Sequence, residues 1–269
     1  MMIAAVIGHP IGHSLSPMIH EYWLKEKHIN GEYRAHDVSP AELKSRIKKL
    51  QAEDYMGINV TLPHKESVLE LCDELSFAVR AIGAANTLVF NNKKIYADNT
   101  DATGFADHLI ETVPGKKFET AIILGAGGAA RAIVFALKNL GVEDFTILNR
   151  DVARAEKLLE DLGVGGVAEP LNFKYENADI LVNCTSLGMT GQPPLHFDLS
   201  RLDTHAVVAD VVYKPLMTDL LARATSRGHV IVDGLGMLIH QAAAAFEQFY
   251  GEEAGDVVGL RKLLEQKLS

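Results

Sequence analysis

The chain has 269 residues, with 26 Lys and Arg against 35 Asp and Glu, for a formal net charge of −9. That length suits one or two domains with real cores, and 48% hydrophobic with 23% charged residues excludes disorder as the general state. The acidic balance argues against a nucleic-acid or anionic-membrane partner. The only two cysteines, Cys72 and Cys184, exclude a disulfide framework and fit a reducing, cytoplasmic setting.

The apolar start at residues 2–7 lacks a basic flank and reads as a first buried strand, not as a signal peptide. No run of about 18 apolar residues predicts a membrane span. Met18, Ile19, Tyr22 and Trp23 share one face of a helix that Ser16 caps and Pro17 starts. A strand over 33–38 follows. Ser39-Pro40-Ala41-Glu42 is then a capping box, opening a helix with Leu43, Ile47 and Leu50 inward. Residues 56–61 read as a strand that runs into a helix started by Pro63. Residues 86–90 and 94–97 alternate about Asn91-Asn92 as a hairpin. A second series then begins, with helices over 101–113, 129–140 and 152–162 and strands over 120–124 and 145–148. Further buried strands are expected at 179–182, 206–210 and 230–232, and helices at 234–250 and 257–268. Strands alternating with helices predict an α/β fold in which parallel sheets are covered on both faces. The pattern restarts near Asp101, which marks a domain boundary.

The sharpest local signal is Gly125-Ala126-Gly127-Gly128-Ala129-Ala130, directly after a strand and directly before a helix. This is the context a dinucleotide fingerprint requires. Gly125 permits the tight turn, Gly127 lets the backbone approach a pyrophosphate, and Ala130 keeps helix and strand close. The next strand ends at Asn149-Arg150-Asp151, where an NAD site usually carries an acidic group for the ribose hydroxyl. Arg150 and Arg154, one turn apart, are placed to meet a 2′-phosphate instead, which favours NADP. Asp151 works against that assignment unless its carboxylate turns away or pairs.

Polar clusters stand at strand ends throughout the first half: Ser14-Leu15-Ser16, Asn59 to Lys65, Asn86-Thr87 and Asn99-Thr100-Asp101. In open α/β sheets ligands sit beyond the carboxyl ends of strands, so such groups are candidates to converge on a polar small molecule. Singly, each has a structural explanation as a helix cap, a turn residue or a solvated lysine. Eleven histidines form no HExxH or compact Cys/His set, so no metal site is expected. Ser186, after a strand, is read as a cofactor contact because no GxSxG elbow surrounds it.

Taken in order, the motifs resemble those of the shikimate dehydrogenases over nearly the whole chain. They are Gly8-His9-Pro10-Ile11-Gly12-His13-Ser14-Leu15-Ser16-Pro17, Gly57-Ile58-Asn59-Val60-Thr61-Leu62-Pro63-His64-Lys65, Gly83-Ala84-Ala85-Asn86-Thr87, Asn99-Thr100-Asp101, the glycine loop, Asn149-Arg150, Asn183-Cys184-Thr185-Ser186, Asp210-Val211-Val212-Tyr213-Lys214-Pro215 and Gly234-Leu235-Gly236-Met237-Leu238-Ile239-His240-Gln241. The resemblance implies a substrate-binding and catalytic domain of residues 1–101 plus 237–269 and an inserted Rossmann NADP-binding domain of residues 102–236, with the active site in the cleft between them. It implies that Ser14, Ser16, Thr61, Asn86, Tyr213 and Gln241 hold shikimate and that Lys65 and Asp101 are the catalytic pair. The cofactor contacts it implies are Gly125, Ala126, Gly127, Gly128, Ala129, Asn149, Arg150, Arg154, Thr185, Ser186, Val211, Gly234 and Met237. The partner would be a small molecule, bound by a monomer or homodimer. Asp151 stands where the family usually has Thr or Ser.

The implied chemistry is the reversible, NADPH-dependent reduction of 3-dehydroshikimate. Carbonyl reduction needs a proton donor at the developing alkoxide, a task suited to a lysine ammonium. A carboxylate beside it is better suited to orienting the lysine than to lowering its pKa. Two alternatives stay open on sequence: an NAD-using quinate/shikimate dehydrogenase, kept alive by Asp151, and a non-catalytic sensor of shikimate or nucleotide.

Overall fold

β1 (Met2–Gly8) is built from residues with no side-chain polar group and is buried over most of its length, so it takes a place inside a sheet. The computed structural model describes residues 1–268. These form two units, one of Met1–Thr103 with Ile239–Leu264 and one of Gly104–Leu238 with the final residues.

In the first unit, β1 joins β2 (Gly31–Asp37), β3 (Gly57–Val60), β4 (Glu74–Leu75), β5 (Thr87–Asn91) and β6 (Lys94–Asp98) in the order β2-β1-β3-β5-β6-β4. β1 runs parallel to both neighbours, but β5 is antiparallel to β3 and β6. The sheet is therefore mixed, against the parallel sheet expected from strand–helix alternation. The β5–β6 pair is the hairpin read from the sequence: Asn92 and Lys93 both take positive φ, 50° and 65°, and return the chain at once in a two-residue turn. Asn91 pairs with Lys94 and is a strand residue, so the turn lies one position later than the sequence reading placed it.

Helices α1 (Ser16–Glu26), α2 (Leu43–Ala52) and α3 (Phe77–Ile82) belong to this unit, and α4 (Thr100–Thr112) starts in it. The capping box at Ser39 and Glu42 is formed, though the first turn it opens is a 3-10 turn. Ser16 is not the cap of α1. Leu15 occupies that position without a side-chain bond, and Ser14 Oγ accepts from the Ser16 amide at 3.3 Å. Pro63 starts no α-helix. Its neighbours bond outward, Leu62 O accepting from His9 N and Lys65 O from Ala85 N, so only a short 3-10 turn at Ser67–Leu71 follows. One core of the unit gathers Ile7, Ile47, Leu50, Ile58, Val60 and Leu88.

The second unit holds β7 (Thr120–Leu124), β8 (Asp144–Leu148), β9 (Gly165–Glu169), β10 (Ile180–Asn183), β11 (Val207–Asp210) and β12 (Val230–Val232). Every pair is parallel and the order is β12-β11-β10-β7-β8-β9. Counted from β7 this is the 3-2-1-4-5-6 order of dinucleotide-binding sheets, with its switch point between β7 and β10. α5 (Gly128–Asn139), α6 (Val152–Leu162) and α7 (Asp219–Ser226) are its crossovers. α8 (Gly234–Tyr250) starts in this unit and runs on into the first, and α9 (Val257–Leu268) follows. The short β4 and β9 and helices α3 and α7 are additions to the sequence reading. No described helix is long and apolar enough to cross a membrane.

Candidate active site

The first unit collects a buried polar cluster at the ends of β3, β5 and β6. Asn99 caps α4: its Oδ1 accepts from the amides of Asp101 and Ala102, and its Nδ2 donates to Ala84 O at 2.9 Å. Asp101 thereby sits in the first helical turn, where the helix dipole favours an anion. Lys65 reaches it from the turn after β3, which the Ala85 N to Lys65 O bond holds against the β5 entry. Lys65 Nζ donates to Asp101 Oδ2 at 2.5 Å, with side-chain exposures of 14% and 6%. Little water reaches the pair to screen it.

Asn86 backs the pair. Its Nδ2 donates to Asp101 Oδ1 at 3.0 Å and to Gln241 Oε1 at 3.3 Å, while its Oδ1 accepts from the Thr100 amide at 2.7 Å. Lys65, Asp101, Asn86 and Gln241 are thus brought together from separate stretches of sequence. Ser14 and the buried Ser16 stand at the start of α1, joined by the Ser16 amide. Thr61 lies in the Lys65 turn and is tied to β1 through its amide, which donates to Ile7 O. Thr87 and Thr100, which the sequence places within the strand-end polar clusters but to which the resemblance gives no role, are buried hydroxyls on Asn86. Their signal was a threonine beside each predicted site residue at a position that must face the interior.

The second unit presents its glycine loop at the switch point. Gly125 has φ +104°, a conformation that L side chains rarely adopt. At Gly127 a Cβ would meet no protein atom within 4 Å, so nothing inside the fold demands glycine there. The open space suits the close approach of a pyrophosphate to the Gly127-Gly128 start of α5. Ala126, within the loop, is buried, and Ala129 follows in the helix. Arg154 Nε donates to Ala126 O at 2.9 Å, so this guanidinium is anchored to the loop. Asn149 donates to Asp151 O, and Arg150 is exposed beside it. Asp151 caps α6 by accepting from the Arg154 amide at 3.3 Å. Its carboxylate is therefore engaged by the helix start.

Two buried side chains organise the neighbouring loops. Asn183, at the end of β10, accepts from the amide and hydroxyl of Thr185 and donates to Asp210 Oδ1 at 2.9 Å. Asp210, at the end of β11, also accepts from the Val212 amide at 3.0 Å and from Thr218 Oγ at 2.7 Å. Burial pushes its carboxyl up to about 6, against the hydrogen bonds that favour the anion. The loop carrying Val211 and Tyr213 and the loop carrying Thr185 and the exposed Ser186 are thus fixed by one clamp. Burial also raises the Tyr213 phenol. Gly234, at the start of α8, packs against the Val211 and Val212 backbone, and Met237 is buried one turn on.

Three family models match the chain in order. The shikimate dehydrogenase substrate-binding domain matches residues 6–88, shikimate/quinate 5-dehydrogenase matches 109–189, and the shikimate 5′-dehydrogenase C-terminal domain matches 234–257. The NADP(+) shikimate dehydrogenase of Azorhizobium caulinodans is 43% identical, over 100% of this chain and 98% of the relative. The chain belongs to the shikimate dehydrogenase family. A second family member, the NADP(+) shikimate dehydrogenase of Methylobacterium radiotolerans, is 47% identical over 92% of this chain and 91% of its own. Among solved structures of the family, shikimate 5-dehydrogenase of Thermus thermophilus, in complex with NADP(H) and shikimate, superposes with a TM-score of 0.90. It is 35% identical, with 100% of both chains covered.

Proposed function

We propose that this chain catalyses the reversible, NADPH-dependent reduction of 3-dehydroshikimate to shikimate, a step of aromatic amino-acid biosynthesis. Residues 1–101 with 237–269 act as the substrate and catalytic domain, and residues 102–236 bind NADP. The observation that carries this reading is the dry Lys65–Asp101 pair held by Asn86.

Bound NADPH supplies the hydride to the carbonyl carbon. As charge develops on the carbonyl oxygen, the Lys65 ammonium stabilises it and delivers a proton, and in the oxidation direction the amine takes that proton back. Asp101 holds Nζ in place and keeps the ammonium compensated. Ser14 and Ser16 bind the substrate carboxylate, while Thr61, Asn86, Gln241 and Tyr213 hold its hydroxyls. On the cofactor side, Gly125 to Ala129 receive the pyrophosphate, and Asn149, Arg150 and Arg154 receive the adenosine end with its 2′-phosphate. Thr185, Ser186, Val211, Gly234 and Met237 border the nicotinamide end.

The test is the initial rate of reduced-nicotinamide formation with shikimate, run with NADP and with NAD, for the wild type and for Lys65→Ala. Turnover should favour NADP, and Lys65→Ala should lower kcat by about a hundredfold or more with a far smaller change in the shikimate KM. Equal turnover with NAD moves the assignment to the quinate/shikimate alternative, and folded protein without turnover moves it to a sensor.

A further inference from the structure

Tyr33 lies on β2, the edge strand of the first sheet, two strands away from the β3 residue it serves. It is 2% exposed, yet its hydroxyl donates to Asn59 Oδ1 at 2.6 Å. The register shows how it reaches. Tyr33 pairs with Ala4 on β1, and Ala4 pairs with Gly57 on β3, so no side chain larger than a methyl lies along that row. At Gly57 a Cβ would also collide with Leu88 O and press on Phe249. The phenol ring is held by His20, stacked at 3.9 Å with an interplanar angle of 7°. Burial keeps the His20 imidazole neutral, its pKa lowered to about 3, and keeps the Tyr33 phenol protonated and hence a donor.

From Asn59 the hydrogen bonds run in one direction. Asn59 Nδ2 donates to Asn86 O at 3.2 Å and to Thr87 Oγ at 3.0 Å. Having accepted there, the Thr87 hydroxyl turns its proton to Asn86 Oδ1 at 3.0 Å. Thr87 shares that oxygen with the Thr100 amide at 2.7 Å, and with the oxygen so engaged the Asn86 amide presents Nδ2 to Asp101, whose other oxygen takes Lys65. Among the described residues no second donor reaches Asn59 Oδ1. Every member of the relay from Tyr33 to Asp101 is buried, where an unmet acceptor costs more than a hydrogen bond gains.

We propose that Tyr33 is a positioning residue for the Lys65–Asp101 pair, acting through Asn59 and Thr87 on the orientation of the Asn86 amide. The proposal rests on the catalytic reading of Lys65 and Asp101. Tyr33→Phe keeps the ring and its stack on His20 and removes the donor alone. It should lower kcat for shikimate oxidation about five- to tenfold, the effect of one buried hydrogen bond. The NADP KM should stay within about twofold, since the cofactor residues lie in the other unit. The side-chain amide proton signals of Asn86, read by NMR on asparagine-labelled protein, should shift. Thr87→Val should produce the same loss, and the double variant should lose little more than either, because both break one relay.

A wild-type kcat in Tyr33→Phe, a fall in kcat with the Asn86 signals unmoved, or losses that multiply in the double variant would each overturn the proposal. If wild-type protein does not oxidise shikimate, the functional reading fails by itself, and the Asn86 signals still decide whether the relay exists.

Discussion

Asp151 shows what a single side chain does to a reading made from sequence. As a charge it opposes a 2′-phosphate; as a cap it gives the Arg154 amide an acceptor and starts α6. Serine caps about as well as aspartate, so Asp151→Ser separates the two effects. The variant should keep its thermal midpoint within about 2 °C and lower the NADP KM about three- to fivefold, with the NAD KM unchanged. That gain is the relief of an exposed, salt-screened repulsion, so it should shrink as ionic strength rises, which kinetics at two salt concentrations would check. Legibility at this scale divides by range. Lys65, Asp101, Asn86 and Gln241 were readable as motif positions, and the fold brings them together. The identity of the group each one bonds was not readable. That the α1 start leans on Ser14 and not on a Ser16 cap depends on the backbone of Leu15, which no local pattern announces. Thr87 is readable as a member of a strand-end polar cluster, but its role is not, because a threonine in a strand is unremarkable until its hydroxyl is found between two asparagines.

Among the elements, β10 and β11 end in the Asn183–Asp210 clamp, and its titration is a measurable property of those strand ends. The folded pKa of Asp210, raised to about 6, lies above its ordinary value of 3.8, so in that interval the folded state binds more protons than the unfolded state. Stability from this group is complete below about pH 4 and is lost as pH rises through 6. A rise of that size corresponds to about 3 kcal/mol. Asp210→Asn has nothing to titrate. The thermal midpoint of the wild type, relative to that variant, should fall by several degrees between pH 4 and pH 7 and level off above; midpoints that track each other across the series would show that the three hydrogen bonds keep the carboxylate ionised. The elements themselves were largely visible beforehand. The second unit's strands and crossovers follow from apolar runs bounded by turn residues, and a sheet buried on both faces leaves that pattern clear. The first unit was legible in part. The reversal after β5 was readable as a hairpin, one position early, whereas outward-bonded carbonyls near Pro63 suppress a helix that the proline alone would predict.

At the scale of the whole chain, the first unit is discontinuous: it takes its C-terminal part from Ile239–Leu264, more than 130 residues after Thr103. That return completes both the polar cluster and the core of the unit. Gln241 from α8 meets Asn86, while Phe246 and Phe249, both fully buried, lie with His20 and Trp23 in one aromatic cluster. Trp23 is the single tryptophan of the chain, 5.5 Å from Phe246 between ring centroids, so its fluorescence reports this unit alone. Phe249→Ala removes a buried ring where β3 has only Gly57 to offer, and such a cavity costs about 3–5 kcal/mol. The Trp23 fluorescence midpoint should therefore drop by about 6–20 °C. Shikimate binding should weaken as that unit loosens. NADP affinity measured well below the transition should stay within about twofold, because His20, Tyr250 and Gly57, against which Phe249 lies, all belong to the first unit. A loss of NADP affinity equal to that of shikimate would mean that the two units fold as one cooperative body, and the discontinuous unit would then be a feature of topology with no stability of its own.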